Sequence, residues 1–189
     1  IKREAATLID IQRAGAHDGP GLRTVFFFKG CPLRCKWCHN PEAQDARPQL
    51  SFHRESCTGC GRCAAVCPVQ AHTVIGGQHR HAVSFDRCIR CGRCAGVCPS
   101  RALKLIGASY TPEELLKIAR RDLPFYEQSG GGVTLSGGEV LLWADFAAEF
   151  LARCRAEGIH TCVETSGFGT TDAMEKLLPD TDLFYFDWK

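Results

Sequence analysis

Eleven of the thirteen cysteines in this 189-residue chain fall in three tight groups, and no other feature restricts the possible folds so severely. Two groups repeat one another: Cys57, Cys60, Cys63 and Cys67-Pro68, then Cys88, Cys91, Cys94 and Cys98-Pro99. The third, Cys31-Pro-Leu-Arg-Cys35-Lys-Trp-Cys38, has three cysteines and no fourth. An odd total fits pairwise oxidation poorly, and Ile1 to Ile11 lacks the long apolar centre of a secretory leader. Metal binding is therefore the expected use of the thiols, not a disulfide framework. Cys154 and Cys162 stand apart and read as small buried apolar side chains.

Four cysteines within eleven residues are packed too densely for a zinc ribbon, whose Cys-x-x-Cys pairs lie roughly 12 to 20 residues apart. The run is that of a bacterial ferredoxin, in which three close thiolates hold three irons of a 4Fe-4S cube and the fourth cysteine crosses to the other cube. One cube would take Cys57, Cys60, Cys63 and Cys98; the other would take Cys88, Cys91, Cys94 and Cys67. Gly59, Gly61 and Gly92 let the backbone turn tightly around inorganic sulfide. From Ser51 to Lys104 eight basic residues (Arg54, Arg62, Arg80, Arg87, Arg90, Arg93, Arg101, Lys104) face only Glu55 and Asp86. That excess offsets the negative charge of the cubes and suits an acidic electron carrier, unless it is an ordinary solvated face.

Beyond the cysteines, the chain is 44% hydrophobic with a formal net charge of +2, enough for a core and too little charge to point to nucleic acid or a membrane surface. No apolar run approaches the ~20 residues of a membrane span. A cytoplasmic location is the expectation.

Three thiolates can hold three irons of a cube and leave the fourth open to another ligand, and the amine and carboxylate of an amino acid can chelate it. A zinc ion with His39 as fourth ligand is the competing reading. The spacing of Cys31, Cys35 and Cys38 resembles that of the radical SAM superfamily, in which S-adenosylmethionine binds the open iron. Asp18-Gly-Pro-Gly-Leu-Arg23, the apolar stretch Thr24 to Phe28 and Gly30-Cys31-Pro32 resemble the opening of the glycyl radical enzyme activating enzymes. So do Ser129-Gly-Gly-Gly-Val-Thr-Leu-Ser-Gly-Gly-Glu139, Glu164-Thr-Ser-Gly167 and Asp187-Trp-Lys189, all in the family's order. With the cysteine repeat inserted and Cys38-His-Asn-Pro-Glu42 present, the chain is most similar to the subgroup serving choline lyase, glycerol dehydratase and arylacetate decarboxylase. Val140, where many relatives have proline, is a departure.

The resemblance implies an α/β fold: a partial (β/α)6 radical SAM barrel, truncated at the C-terminus, carrying an inserted two-cluster ferredoxin domain. Residues 1–52 would begin the barrel, 53–104 would be the insert and 105–189 would continue the barrel. It also implies three 4Fe-4S clusters, S-adenosylmethionine and a monovalent cation as cofactors. The oxidoreductase chemistry would be reductive cleavage of S-adenosylmethionine to a 5'-deoxyadenosyl radical that takes a hydrogen atom from a glycine of a partner, a glycyl radical enzyme. Flavodoxin or a ferredoxin would donate the electron. Trp37, Gly137, Gly138, Glu139, Asp187 and Lys189 would bind S-adenosylmethionine; Glu164, Thr165, Tyr185 and Asp187 would hold the cation; Asp18 and Arg23 would face the partner's glycyl loop. No side-chain acid or base is required. The alternatives are a radical SAM enzyme acting directly on a small molecule or peptide, and a ferredoxin-type electron carrier.

The residues themselves read as alternating strands and helices, hence a parallel sheet with helices outside. Leu22 to Lys29, Val133 to Leu135, His160 to Glu164 and Leu183 to Asp187 are expected strands. A capping box with proline at the first helical position, Thr111-Pro-Glu-Glu114, opens a helix to about Arg121. Phe146, Phe150, Leu151 and Cys154 mark one face of a second helix, which Gly158 ends. Outside the insert there is room for about four strand–helix units at ~30 residues each, and the chain stops on a strand. A C-terminally truncated fragment, lacking a few N-terminal residues as well, is the expectation. If the basic residues of the insert guide the electron donor, charge reversal of Arg90 and Arg93 together slows reduction by flavodoxin at low salt. Unchanged stopped-flow rates would rule that role out.

Overall fold

A computed structural model describes residues 4–75 and 80–189; the side chain of Arg80, counted above among the basic residues, lies outside the described residues. Two compact units divide the chain, Pro48–Ile106 and the remainder, Ile1–Arg47 with Gly107–Lys189. The larger unit opens with β1 (Ala6–Gly15) and β2 (Arg23–Phe28). The smaller contributes β3 (Gln49–Phe52), α1 (Arg62–Val66), β4 (His72–Ile75), β5 (Arg80–Val83), α2 (Arg93–Gly96) and β6 (Leu103–Ile106). The larger resumes with β7 (Ala108–Tyr110), α3 (Pro112–Ala119), α4 (Leu123–Ser129) and β8 (Gly132–Gly137). It closes with α5 (Ala144–Ala156), β9 (His160–Thr165), α6 (Thr171–Leu177) and β10 (Leu183–Phe186).

The larger unit is a mixed α/β structure on a six-stranded sheet in the order β10-β9-β8-β2-β1-β7. Strands β2, β8, β9 and β10 run parallel, as their helical connections require. The expectation of a wholly parallel sheet is corrected at one end. β1 lies antiparallel to both β2 and β7. The short link between β1 and β2 cannot carry the dozen or more residues of a parallel crossover, so the chain turns back as a hairpin. The segment that lacked the apolar centre of a leader runs into β1, whose Ala6 and Leu8 are buried on one face.

Helix α3 starts at the expected capping box: the Thr111 hydroxyl accepts from the Glu114 amide at 3.3 Å, and the Glu114 carboxylate accepts from the Thr111 amide at 2.8 Å. It ends at Ala119 and tightens into a 3-10 turn over Arg120–Asp122. On α5, Phe146, Phe150, Leu151 and Cys154 are all buried against the sheet. Phe150 meets Phe26 edge-on at 5.2 Å between ring centroids, and Phe146 meets Phe28 at 5.9 Å. Cys162 is likewise buried on β9. No helix among the described residues is long and apolar enough to cross a membrane.

The smaller unit displays the cysteine repeat as near two-fold geometry. Its halves are β3-α1-β4 and β5-α2-β6, and each lends one strand to each of two antiparallel pairs, β3 with β6 and β4 with β5. Gly61 and Gly92 stand at equivalent left-handed positions (φ 75° and 73°) before α1 and α2. Gly59 and Arg90 are matched in the same way, at φ 67° and 60°. That bend needs no glycine in the second half, although it costs a side-chain-bearing residue some strain. Leu50, Cys63, Cys94 and Leu103 form the buried centre.

One polar network crosses the larger unit. The buried Asp122 carboxylate accepts from Arg13 Nε at 3.0 Å and from the Thr24 hydroxyl at 2.6 Å, and Tyr126 donates to the same hydroxyl at 2.6 Å. Burial works to raise the Asp122 carboxyl, but the bonds from Arg13 and Thr24 outweigh it and hold it below the usual carboxylate range. A depressed pKa contributes stability that is full above the unfolded-state value of ~4 and is lost as pH falls through the folded value. Asp122→Asn is expected to lower the unfolding free energy by about 1–3 kcal/mol at pH 7. The gap from wild type should shrink below about pH 4, as chemical denaturation across pH can check.

Candidate functional site

The site is set by what happens where β2 and β8 end. Beyond β2 the chain is pinned by backbone bonds: Gly30 N–H donates to Ala43 O at 2.5 Å and Cys31 N–H to Gln44 O at 3.3 Å. Beyond β8, Gly138 N–H donates to Phe28 O and Glu139 N–H to Gly30 O, each at 2.8 Å. Two bare backbones thus run in contact. A Cβ on Gly137, which has φ 103°, would strike the backbone of Phe28, and one on Gly138 would strike the carbonyl of Gly30. Lys29 is fully buried beneath the loop, its ammonium donating to the Glu42 carbonyl while its own carbonyl accepts from the Trp143 indole at 2.7 Å.

This apposition opens a cavity of about 390 Å³ at the C-terminal ends of the parallel strands, where ligands bind in such sheets. Cys31, Cys35 and Cys38 all line it, with Trp37, His39, Gly137, Gly138, Asp18, Glu164, Thr165, Asp187 and Lys189. Its size falls within the ~300–1,000 Å³ of small-molecule sites. Among the described residues, ligand atoms of three or more such groups come within 4.8 Å of one another only at Cys63, His72 and His81. The thiols at Cys31, Cys35 and Cys38 are therefore spread more widely than one zinc ion would draw them, since Zn–S bonds of ~2.3 Å bring sulfurs within about 4 Å. Three spaced thiols fit a larger inorganic body. Burial pushes the Cys31 thiol up.

Other expected residues divide into those that face the cavity and those that do not. Lys189 bonds Asp187 at 2.8 Å, which raises the lysine, and the thiols of Cys35 and Cys38 add to the effect. Burial raises the Glu164 carboxyl, against the bond it accepts from Ser136 at 2.5 Å. Trp37 is 62% exposed at the rim, so it packs in no core. Tyr185 does not line the cavity; it pairs with Glu164 across β10 and β9.

Two more of the expected residues do not line the cavity. Arg23 is wholly buried, donating to Thr134 at 2.6 Å, Val133 O at 2.5 Å and Pro20 O at 3.0 Å. The Thr134 hydroxyl that accepts from Arg23 donates in turn to the Asp18 carbonyl at 2.7 Å. Nor does the Glu139 side chain reach the cavity. It is 1% exposed and accepts from Leu141 N–H (3.1 Å), Thr165 Oγ1 (2.5 Å), Ser166 N–H (3.1 Å) and Ser166 Oγ (2.6 Å). It is a brace between the glycine loop and the loop after β9. Ser136 and Asn40, which also line the cavity, were not singled out in the sequence, although both sit inside quoted motifs.

In the smaller unit two further cavities appear. One is lined by Cys57, Cys60, Cys63 and Cys98, the other by Cys67, Cys88, Cys91 and Cys94. Each half thus lends its last cysteine to the other cavity. Burial raises the Cys63 and Cys94 thiols. At Cys98 burial acts the same way, but hydrogen bonds from Leu103, Ser100 and Ala102 prevail and lower it.

A family model for a 4Fe-4S single cluster domain matches residues 17–185. The chain belongs to that family. Among curated proteins it is 46% identical over 190 residues to the choline trimethylamine-lyase activating enzyme of Oleidesulfovibrio alaskensis, covering 100% of this chain and 61% of the relative. It is 45% identical over 186 residues to the benzylsuccinate synthase activating enzyme of Thauera aromatica (96% of this chain, 56% of the relative). To the trans-4-hydroxy-L-proline dehydratase activating enzyme of Clostridioides difficile it is 42% identical over 183 residues (96% and 60%). All three are activating enzymes, in agreement with the resemblance drawn from the motifs. The chain spans about 60% of the length of these relatives.

For this family member the Glu139 brace gives a clear expectation. Glu139→Gln replaces one acceptor oxygen with a donor facing the Ser166 amide and should cost about 1–3 kcal/mol. Thermal unfolding should show the loss, and limited proteolysis should find the loop after β9 more readily cut.

Proposed function

We propose that the chain is the catalytic part of a glycyl radical enzyme activase. The observation that carries the reading is the convergence of Cys31, Cys35 and Cys38, with no fourth cysteine, on a cavity also lined by the glycine loop, Asp187 and Lys189. In this reading the four parallel strands β2, β8, β9 and β10 belong to a radical SAM barrel. The three thiolates hold one 4Fe-4S cube, and S-adenosylmethionine occupies the rest of the cavity. Cube and cofactor together supply reductive cleavage of a carbon–sulfur bond to a 5'-deoxyadenosyl radical.

The protein's own part is positioning and exclusion of water. The unhindered backbone at Gly137 and Gly138 lets the amino-acid end of the cofactor lie against the strand ends. Lys189, held by Asp187, presents an ammonium to its carboxylate. Trp37 offers an apolar face at the rim. Glu164, Thr165 and Asp187, with the Tyr185 carbonyl, are the candidates for a monovalent cation, and Asp18 for contact with the partner's glycyl loop. Cys57, Cys60, Cys63 and Cys98 hold a second cube and Cys88, Cys91, Cys94 and Cys67 a third; flavodoxin or a ferredoxin supplies electrons. The partner is a glycyl radical enzyme, and the names of the relatives support that class. A plain electron carrier would leave the cavity of Cys31, Cys35 and Cys38 without a use.

The test is formation of 5'-deoxyadenosine by anaerobically reconstituted, reduced protein given S-adenosylmethionine. Wild type should form it and Cys31→Ala should lose essentially all of it. Equal product from both, or none from wild type with every cube loaded, would overturn the reading.

A further inference from the structure

The two halves of the smaller unit are offset by 31 residues, so that Cys57 matches Cys88 and Cys67 matches Cys98. Carried beyond the cysteines, the same offset matches His81 with Leu50 and His72 with Leu103. The β4–β5 pair therefore carries two imidazoles where the β3–β6 pair carries two leucines, one of each in either half. Both imidazoles are buried, His81 at 2% exposed and His72 at 7%. Burying polar rings at leucine positions is costly unless they are hydrogen-bonded.

They are bonded in a line. His72 Nδ1 lies 2.9 Å from His81 Nε2, and His81 Nδ1 lies 3.5 Å from Cys57 Sγ. His81 lines the cavity of Cys57, Cys60, Cys63 and Cys98, whereas the cavity of Cys88, Cys91, Cys94 and Cys67 has Leu50 at the equivalent place. His72 lines that second cavity but is directed at His81. A thiolate only accepts, so the ring nitrogen facing Cys57 must carry its proton. The other nitrogen of a neutral His81 is then an acceptor, and His72 Nδ1–H donates to it. His81 Nε2 also lies 3.7 Å from Cys63 Sγ, but its 2.9 Å contact with His72 is much the shorter, and each ring then needs one proton in the line His72 to His81 to Cys57.

We propose that the His72–His81 pair is a hydrogen-bond relay onto the Cys57 thiolate that gives the cube at Cys57, Cys60, Cys63 and Cys98 a higher reduction potential than its repeat-related neighbour. A donor aimed at a ligating sulfur stabilises the extra electron of the reduced cube, and a leucine at the same place does not. The pair thus breaks the equivalence that the cysteine repeat alone would give, and an electron passes downhill from the cube at Cys88 to the cube at Cys57. This rests on the cube assignments proposed above. His81 acts as a positioning and tuning residue, not as a ligand.

The test is a potentiometric titration followed by electron paramagnetic resonance on reconstituted protein, with Cys31, Cys35 and Cys38 replaced by alanine to silence the first cube. Two distinct midpoints are expected. His81→Leu, which installs the residue of the other half, should shift the upper midpoint down toward the lower with iron and sulfide content unchanged; His72→Leu should shift it less. Midpoints that do not move in loaded His81→Leu protein overturn the relay while leaving the cube assignment intact. Should His81→Leu fail to load, pulsed measurement on reduced protein carrying ¹⁵N-histidine decides. A weak nitrogen coupling at one cube supports the relay; no coupling, or one as large as that of a ligated imidazole, overturns it. One equivalent of zinc per chain, lost on His72→Leu, would instead mean a Cys63-His72-His81 zinc site. A protein without either cube would sink the assignment and the relay with it.

Discussion

Everything at the cavity of Cys31, Cys35 and Cys38 depends on two stretches of main chain lying against each other where β2 and β8 end. The bonds from Gly138 and Glu139 to the carbonyls of Phe28 and Gly30 extend the parallel pairing past the last regular strand residues. The cysteine loop and the glycine loop are thereby held at a fixed separation without any side chain between them. Side-chain packing could not achieve this, because rotamers leave slack that two hydrogen-bonded backbones do not. The aromatic layer of Phe26, Phe28, Phe146 and Phe150 keeps β2 and α5 in place behind the loops. The Glu139 brace then fixes the loop after β9 to the same frame.

Much of this was legible in the sequence because backbone demands leave their mark on residue type. Glycines at positions 137 and 138, cysteines at fixed spacing and a threonine–proline–glutamate helix start each admit few substitutes, so their chemistry can be read without coordinates of any kind. The strands β2, β8, β9 and β10 were readable for the same reason: runs of β-branched and aromatic residues ending in turn signals. β1 was not, since alternating charged and apolar residues look alike in an edge-side strand and in an unstructured leader. Its antiparallel direction follows from loop length, a property of the connection and not of the strand.

The side chains of Arg23 and Glu139 lie where the sequence alone could not place them. Arg23 and Glu139 are charged residues inside motifs, and a charged residue in a motif invites a ligand role. Both instead satisfy buried main-chain and hydroxyl groups, a need that exists only once distant strands meet: Arg23 reaches Thr134 and Val133, Glu139 reaches Thr165 and Ser166. The two histidines of the smaller unit were passed over for a different reason. Comparing the cysteines of the repeat drew attention to what the halves share, and the departures at 72 and 81 became visible only when the flanking strands β3 to β6 were aligned by their pairing.

The exchange of a cysteine between the halves of the smaller unit has a consequence for assembly. Because Cys98 lines the cavity of the first three thiols and Cys67 that of the second three, neither half can complete its ring of sulfurs while the other is unfolded. If the two rings hold the cubes proposed above, folding and loading would be a single cooperative event. A chain interrupted during maturation, or attacked by oxygen at either ring, forfeits both rings at once, so intermediates holding one intact ring should be scarce. On the proposed cube assignment, the interlock would make the unit a device with two states, complete or empty.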